Sequence, residues 1–174
     1  MSTRKTLSKT VPDPGFRHRN LPLLLLQARE GVIGHFRPIL NAHGVTEQQW
    51  RIVRALIELG PLEPRQIGRV CGISSPSLAG VLARMDDLGL VQRERIAEDQ
   101  RRVMVALTPR SRALAARMAP QIEAVYQAIE DHIGAEFIGR FYATLDQLIA
   151  MLGEVPEAVD DDPAPVTSAR RPRP

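Results

Sequence analysis

The sequence has little of what defines several classes of protein. It contains one cysteine in 174 residues, which excludes an internal disulfide framework. Its four histidines lack metal-ligand spacing to cysteine or to acidic residues. The leucine run at residues 23–26 is far too short to span a membrane, and no cleavage signal follows it. We therefore expect a cytoplasmic protein that needs no metal and no cofactor and has no membrane partner.

Groupings that support catalysis are missing as well. No Ser/His/Asp set, phosphate-binding glycine loop or carboxylate pair stands out, so the chain is not expected to be an enzyme. A hydrophobic fraction of 44% can build a sizeable core, and the length suits one domain with extensions. The formal net charge is only +3, but residues 65–102 hold seven arginines against five acids. This segment is the most informative part of the chain.

The two ends of the chain differ in composition from the middle. Residues 1–19 are polar and basic and show no periodicity, so we interpret them as a flexible arm, either without a role or tracking DNA. Residues 154–174 are first acidic and then rich in proline and arginine, which predicts a disordered tail. The folded domain is therefore expected over residues 20–153.

Residues 64–88 have the pattern of two short helices joined by a tight turn. The first helix starts at Pro64 with Ile67 and Val70 inward, and Gly72 permits the turn. The second starts at Ser74-Ser75-Pro76, a hydroxyl cap followed by proline. Its predicted inner stripe recurs at spacings of three and four, at Leu78, Val81, Leu82, Met85 and Leu88. Helix, glycine turn and helix are the outline of a DNA-binding motif.

The opposite stripe of the second helix carries small and basic residues. Ser77 and Arg84 supply a hydroxyl for base edges and a guanidinium for phosphate or guanine. Gly80 lies between them, although a mid-helix glycine costs about 1 kcal/mol relative to alanine. Either a close approach to a DNA groove or packing against another helix would explain this glycine. We interpret the stripe as a DNA-reading surface.

A charged hairpin is predicted directly after the reading helix. Residues 90–97 read as a strand, 98–101 as a turn, and 102–108 as a returning strand whose apolar residues alternate. Arg101 and Arg102 lie at the turn, where arginines of a wing can enter a minor groove. Asp99 could orient Arg101 by an ion pair. The alternative is an ordinary solvated turn.

Helices are expected on both sides of this lobe. Asn20 can cap a first helix that runs to about Ala42, and Thr46 with Gln49 is a capping box for a second helix. That second helix has a predicted inner stripe of Trp50, Val53, Leu56 and Ile57. Residues 62–63 could add a short third strand to the hairpin. Two further helices are expected over residues 109–153.

The last helix and the first are more apolar than one packed face requires. Exposed in water, such surfaces would promote association, so we assign residues 20–43 and 109–153 to a homodimer interface. A larger intrachain core is the alternative. The predicted fold is mainly α with a small β-wing: a winged helix-turn-helix DNA-binding lobe at 64–108 and a dimerisation lobe made of the terminal helices.

One string is specific enough to indicate a family. Residues 99–109, DQRRVMVALTP, resemble the wing signature of the MarR family of winged-helix regulators, although Ser111 stands where that family usually has glycine. The resemblance covers about residues 20–153. Residues 26–30, 36–39, 46–54 and 76–78 resemble the HpaR branch, repressors of operons that degrade homoprotocatechuate (3,4-dihydroxyphenylacetate).

The resemblance implies a homodimeric repressor, acting at the nucleoid, that occupies a palindromic operator in double-stranded DNA and leaves it when a small aromatic carboxylate binds. Family members contact DNA through the second helix of the motif and through the wing arginine. The matching positions here run from Ser74 and Ser75 to Arg84 and include Arg101. Effectors bind between the DNA-binding lobe and the dimerisation helices, a region matched by the first, second and fifth helices.

An aromatic carboxylate needs a fixed cation, an apolar slot and a polar group for its hydroxyls. Arg29, His35 and Trp50 are residues of the required types, although Arg29 and His35 lie about 120° apart around a helix. Alternatively, Arg29 forms an ion pair with Glu30, His35 is an interfacial histidine, and Trp50 belongs to the core.

Other signals and another class of function stay open at this point. His35 with His43 could sense a metal, Cys71 could be a redox-sensing thiol rather than a small buried residue, and other phenolic compounds could be the effector. A winged-helix module that binds protein and never DNA is the alternative in another class. Binding to duplex DNA that weakens steeply with salt distinguishes the regulator from that module.

Overall fold

The computed structural model describes residues 15–95 and 102–153, and the chain divides into two compact units at Gln127/Ala128, inside the fifth helix. In chain order the elements are α1 (Leu21–Ala42), α2 (Glu47–Leu59), α3 (Pro64–Cys71), α4 (Ser75–Asp87), β1 (Val91–Arg95), β2 (Val103–Leu107), α5 (Pro109–Ile133) and α6 (Ala135–Leu152). The predicted mainly α fold with a small β-wing is confirmed. No described helix has the length and apolar character needed to cross a bilayer.

The starts of the first two helices are set by the predicted caps. The Asn20 side-chain oxygen accepts a hydrogen bond from the Leu23 amide at 3.0 Å, which satisfies a free N–H of the first turn of α1. At α2 the capping box is complete, because the Gln49 amide donates to the Thr46 hydroxyl and the Thr46 amide donates to the Gln49 side chain. Pro38 lies inside α1, as predicted.

The turn between α3 and α4 depends on two glycines. Gly72 follows α3 in the left-handed region, with φ of 59°. Gly68 lies against the turn itself: a Cβ at this position would be 3.2 Å from the backbone oxygen of Ile73 and 3.4 Å from the Leu78 side chain. The expected hydroxyl cap on α4 is wrong in one respect, because the Ser74 hydroxyl contacts that of Ser77 at 3.1 Å and caps no backbone amide.

The hairpin is an antiparallel two-stranded sheet, and the predicted third strand at residues 62–63 is reduced to a single bridge. Its register pairs Val91 with Leu107 and Arg95 with Val103. Leu62 forms an isolated bridge to Val105. β1 begins one residue later than predicted, β2 spans Val103–Leu107 rather than 102–108, and residues 96–101, including Asp99 and Arg101, lie outside the described part of the chain.

The core of the first unit lies between α2, α3, α4 and the hairpin. Its fully buried side chains include Ile52, Leu56, Ile67, Val81, Met85 and Val105. Three predicted inward residues are instead exposed: Ile57 (41%), Val70 (54%) and Leu88 (45%). The inner face of α2 is centred on Ile52, Val53 and Leu56, so Ile57 falls beyond its edge. Cys71 takes the inner place beside Ile67, and Leu88 follows the end of α4.

The second unit consists of the end of α5 and α6. None of the α6 residues is buried. Its apolar side chains are largely in contact with solvent, and the Phe137 and Phe141 rings stack on each other at 6.1 Å between centroids. The most exposed of them are Phe137, Tyr142, Ile149, Met151 and Leu152. An exposed apolar surface of this kind is typical of an interaction site.

Candidate nucleic-acid interface

Helix α4 is divided cleanly into a buried and an exposed face. Leu78, Val81, Leu82 and Met85 are all 5% exposed or less. Ser77 and Arg84 are exposed and Gly80 is half-exposed, while Ser74 and Ser75 are exposed at the start of the helix. Residues 77, 80 and 84 follow the helical repeat, so they lie on one outward face. The structure therefore brings the predicted reading residues of α4 together.

Gly80 is not explained by packing within the described chain. A Cβ built there would have one neighbour within 4 Å, the Arg84 Nη1 atom at 3.4 Å. This is ordinary van der Waals contact with a flexible side chain. Because no other described helix approaches Gly80, the groove explanation is favoured over intrachain helix packing.

Arg84 projects from this exposed face. Among residues 15–95 and 102–153, no carboxylate lies within ion-pair distance of its guanidinium. A neighbouring arginine behaves differently, because Arg93 lies 3.7 Å from Asp86. A cation without a carboxylate partner keeps its hydrogen-bond donors for phosphate or for guanine.

Arg51 of α2 holds the turn in front of the reading helix. Its Nη1 donates a 2.6 Å hydrogen bond to the Cys71 carbonyl oxygen, and the Ile73 amide donates to the Gly68 oxygen at 2.9 Å. A cation at the carboxyl end of a helix satisfies a free carbonyl and complements the helix dipole. Sequence reasoning missed Arg51, because no local pattern connects residues 51 and 71.

The described end of the wing is occupied by an ion pair. Arg102 Nε donates to Glu63 Oε1 at 2.6 Å, and Nη2 contacts the same oxygen. Glu63 is the residue that precedes α3, and its amide donates to the Gln66 side chain at 2.9 Å. Arg102 was predicted to contact DNA, and the structure places its guanidinium on a carboxylate of its own chain.

The predicted effector residue Arg29 belongs to a ring of ion pairs between α1 and α2. Arg29 contacts Glu30 at 2.5 Å and Glu47 at 2.9 Å. Arg37 contacts the same two carboxylates, each at 2.5 Å. The ion pair of Arg29 with Glu30, one of the two interpretations of Arg29, is therefore present. Arg37 and Glu47 were not predicted from the sequence, although Arg37 lies two helical turns from Glu30.

This charge ring shifts the ionisation of its members. Hydrogen bonds to Glu30 and then to Glu47 raise the pKa of Arg37. The Arg37 hydrogen bond holds the pKa of Glu47 below its ordinary value, against the opposing effect of desolvation. Both groups are charged at neutral pH, so two cations and two carboxylates balance one another.

In the described part of the chain, neither His35 nor Trp50 forms a hydrogen bond or an ion pair with a member of this ring. His35 is exposed, and the described part of the chain offers it no hydrogen bond. Trp50 is half-buried and packs against the core of the first unit. No hydrogen bond joins any two of the three predicted effector residues. A depression of about 380 Å³ adjoins the ring and is lined by Arg37, Leu40, Asn41, Gly44, Val45, Thr46 and Glu47.

Two of the alternative signals can be examined at their residues. Cys71 is 2% exposed, and burial raises the pKa of its thiol, which disfavours the reactive thiolate. This supports its interpretation as a small buried residue. Within the described ranges, no three histidine, cysteine or acidic side chains are grouped as a metal ion would require.

Comparison with known proteins adds independent information. The sequence pattern of the MarR family matches residues 43–102. The chain is similar to the homoprotocatechuate degradative operon repressor of Escherichia coli, with 39% identity over 145 residues that cover 83% of this chain and 98% of the repressor. It is 37% identical over 144 residues to the HTH-type transcriptional regulator FarR of Neisseria gonorrhoeae, which covers 83% of this chain and 96% of FarR.

A solved structure of NadR in complex with 4-hydroxyphenylacetate is similar in fold and in sequence. The two structures superpose with a TM-score of 0.71 and 37% identity, covering 79% of this chain and 97% of NadR. The similarity therefore extends beyond the helix-turn-helix motif to nearly the full length of these proteins.

Proposed function

The chain belongs to the MarR family of winged-helix transcriptional regulators, and from this premise we propose that it represses an operon for the catabolism of an aromatic acid and leaves its operator when that acid binds. It is a DNA-binding transcriptional regulator and not an enzyme. The outward face of α4, where Ser77, Gly80 and Arg84 are accessible beside a hairpin, is the observation that supports DNA binding most directly.

In this proposal α4 enters the major groove. Ser74, Ser75, Ser77 and Arg84 supply hydroxyl and guanidinium donors, and Gly80 lets the helix backbone come close to the DNA. The hairpin tip, with Arg101 oriented by Asp99, enters the adjacent minor groove. Residues 64–108 form the DNA-binding lobe.

Operator recognition requires two such lobes. The unburied apolar face of α6 and the exposed leucines of α1 support residues 20–43 and 109–153 as the homodimer interface. Two reading helices fit successive major grooves of a palindromic operator when they are about 34 Å apart. The protein then acts on DNA in the cytoplasm, at the nucleoid.

The effector is proposed to be a small aromatic carboxylate. The similarity to NadR, whose structure contains 4-hydroxyphenylacetate, and to a homoprotocatechuate operon repressor supports this class of ligand. At Arg29 the ligand carboxylate would replace the carboxylate of Glu30 or Glu47 in the charge ring. His35 and Trp50 would lie on either side of the aromatic group of the ligand. A ligand that prefers a dimer with another spacing weakens DNA binding by its difference in affinity for the two geometries.

A binding experiment tests both halves of the proposal. An operator is first selected from a random duplex library with the wild-type protein, and its affinity is measured by fluorescence anisotropy at several salt concentrations. 4-Hydroxyphenylacetate and 3,4-dihydroxyphenylacetate should release the DNA, and 4-methylphenol, which lacks the carboxylate, should not. Release of the DNA by 4-methylphenol would show that the protein does not recognise the carboxylate. Absence of salt-sensitive binding to DNA would refute the regulator mechanism.

Arg29→Ala tests the proposed carboxylate anchor. The variant should bind the operator with wild-type affinity and should need at least about tenfold more 4-hydroxyphenylacetate for release, because one charge-assisted contact is lost. Arg54→Ala is the matched control, since it breaks an exposed ion pair of the same kind, with Glu58 on α2. An unchanged effector concentration at half-release would remove Arg29 from the site.

A further inference from the structure

We infer that Glu63 and Arg102 form a positioning pair that fixes the hairpin against the helix-turn-helix motif, and that Arg102 serves DNA binding through Glu63 rather than by contacting phosphate. The inference rests on the proposed DNA-binding function and assigns a role within it. The pair connects two segments that are 39 residues apart in the chain. Glu63 immediately precedes α3, and Arg102 immediately precedes β2.

The contact uses two donors of the Arg102 guanidinium. Both Nε and Nη2 of Arg102 are directed at one oxygen, Glu63 Oε1. Glu63 is itself held, because its amide donates to the Gln66 side chain at 2.9 Å in the first turn of α3. The guanidinium is therefore bound to a carboxylate whose backbone position is fixed.

A second, independent contact lies at the neighbouring residue. Leu62 and Val105 exchange two backbone hydrogen bonds, of 3.1 and 2.8 Å. Residues 62 and 63 thus bind the returning strand twice, once through the backbone and once through a side chain. The base of the hairpin follows α4 directly, so the Glu63–Arg102 pair fixes the opposite, described end of the hairpin against the start of α3.

The charge of Glu63 distinguishes positioning from direct contact. The Glu63 side chain is 29% exposed and the Arg102 side chain 53%. If Arg102 bound phosphate, Glu63 would compete for the same guanidinium and repel the DNA, so its neutralisation would raise affinity. If the pair positions the hairpin, its neutralisation lowers affinity although a negative charge has been removed. The two roles predict changes of opposite sign.

The test measures operator affinity for the full-length Glu63→Gln, Arg102→Gln, Arg102→Lys and double Glu63→Gln/Arg102→Gln proteins. We expect the operator affinity of each single variant to fall roughly two- to fivefold for each DNA-binding lobe of the dimer, because a partly exposed ion pair is weak. Losses in the double variant should not exceed those of either single variant. Arg102→Lys should resemble Arg102→Gln, since lysine keeps the charge but lacks the fork. The slope of log affinity against log salt should stay at its wild-type value.

Several results would overturn the inference. Arg102 would be assigned to a phosphate contact if Glu63→Gln bound the operator as tightly as wild type or more tightly, or if the losses of affinity added up in the double variant. The same would follow if Arg102→Lys kept wild-type affinity, or if the slope of log affinity against log salt fell by about 0.9 for each head. Glu58→Gln is the matched control, because it breaks the Arg54 pair away from the hairpin and should leave affinity unchanged.

Amide hydrogen exchange tests, in the absence of DNA, whether the Glu63–Arg102 pair holds the hairpin in place. The Val105 amide, which donates to Leu62, should exchange faster in Glu63→Gln than in wild type, while buried amides of α4 should not change. Unchanged exchange at Val105 would refute the positioning role. If the wild-type protein bound no duplex DNA, the proposed function would fail, and exchange at Val105 would still decide whether the pair holds the hairpin.

Discussion

Replacing Gly80 with alanine should stabilise the protein and weaken its binding to DNA. Alanine is favoured over glycine inside a helix by about 1 kcal/mol, because glycine loses more backbone entropy on folding. The new methyl group would meet only Arg84 Nη1 at 3.4 Å, so nothing in the described chain offsets this gain. For a chain of this length the melting temperature should rise by about 2–4 °C.

The same methyl group should interfere with the proposed major-groove contact. If the α4 backbone at Gly80 approaches the DNA, a side chain there displaces Ser77 and Arg84 from their contacts. Loss of a base contact costs about 1–3 kcal/mol, and both heads of the dimer carry the substitution. The variant should therefore combine a higher melting temperature with at least about a fivefold weaker operator affinity.

Gly68→Ala is the matched control, because it makes the same chemical change one helix earlier. There the added Cβ would lie 3.2 Å from the Ile73 backbone oxygen, and Ile73 cannot move freely because its amide donates to the Gly68 oxygen at 2.9 Å. This contact should cancel or reverse the helical gain, so the melting temperature should not rise.

Circular dichroism melting and fluorescence anisotropy on the selected operator provide the two measurements. Unchanged affinity for Gly80→Ala would show that this part of α4 does not approach DNA. A lower melting temperature would show that Gly80 packs against a surface in the free protein, with the partner subunit as the first candidate.

Three further predictions concern single residues. Arg101→Ala should weaken operator binding by about 1–3 kcal/mol and leave the dimer intact. If the variant bound the operator as tightly as wild type at every salt concentration, a wing contact would be contradicted. For Glu47, whose pKa is lowered by Arg37, the carboxylate stabilises the fold above its ordinary pKa of 4.5, and this contribution is lost as pH falls through the lowered value. The difference in the free energy of unfolding between wild type and Glu47→Gln, about 1 kcal/mol at most, should therefore shrink as the pH falls from about 6 to about 3, as measured by urea unfolding. A difference that stays constant would show that ionisation of Glu47 does not contribute to stability. Cys71 should react with iodoacetamide at least about tenfold more slowly in the native than in the unfolded protein, and equal rates would restore a thiol sensor.

Much of the local structure could be predicted from neighbouring residues. The caps at Asn20 and Thr46 and the turn at Gly72 each act within a few positions of the chain, and the structure has them where the sequence predicted. The alternation predicted for β2 is not seen in its burial, because Val105, Ala106 and Leu107 are all buried. The buried stripe of α4 followed from its helical repeat, and so did the opposite face with Ser77, Gly80 and Arg84.

Predictions at the edges of stripes were less successful. Ile57, Val70 and Leu88 are apolar and correctly spaced, yet they are exposed. Periodicity gives the direction of a helical face, but its width and centre depend on which neighbouring helix covers it. The sequence therefore identified the core of this lobe without its outer limits.

The sequence by itself determined the order of the elements, the helix-turn-helix and hairpin, and the outward residues of the reading helix, because these depend on backbone preferences and short-range periodicity. Only the tertiary structure decided which arginines are already occupied: Arg29 and Arg37 by Glu30 and Glu47, Arg51 by the Cys71 carbonyl, and Arg102 by Glu63. An arginine side chain is long and flexible, and its partner is chosen by how helices and strands distant in sequence come together. For this reason an arginine that the sequence assigns to DNA can belong to the fold.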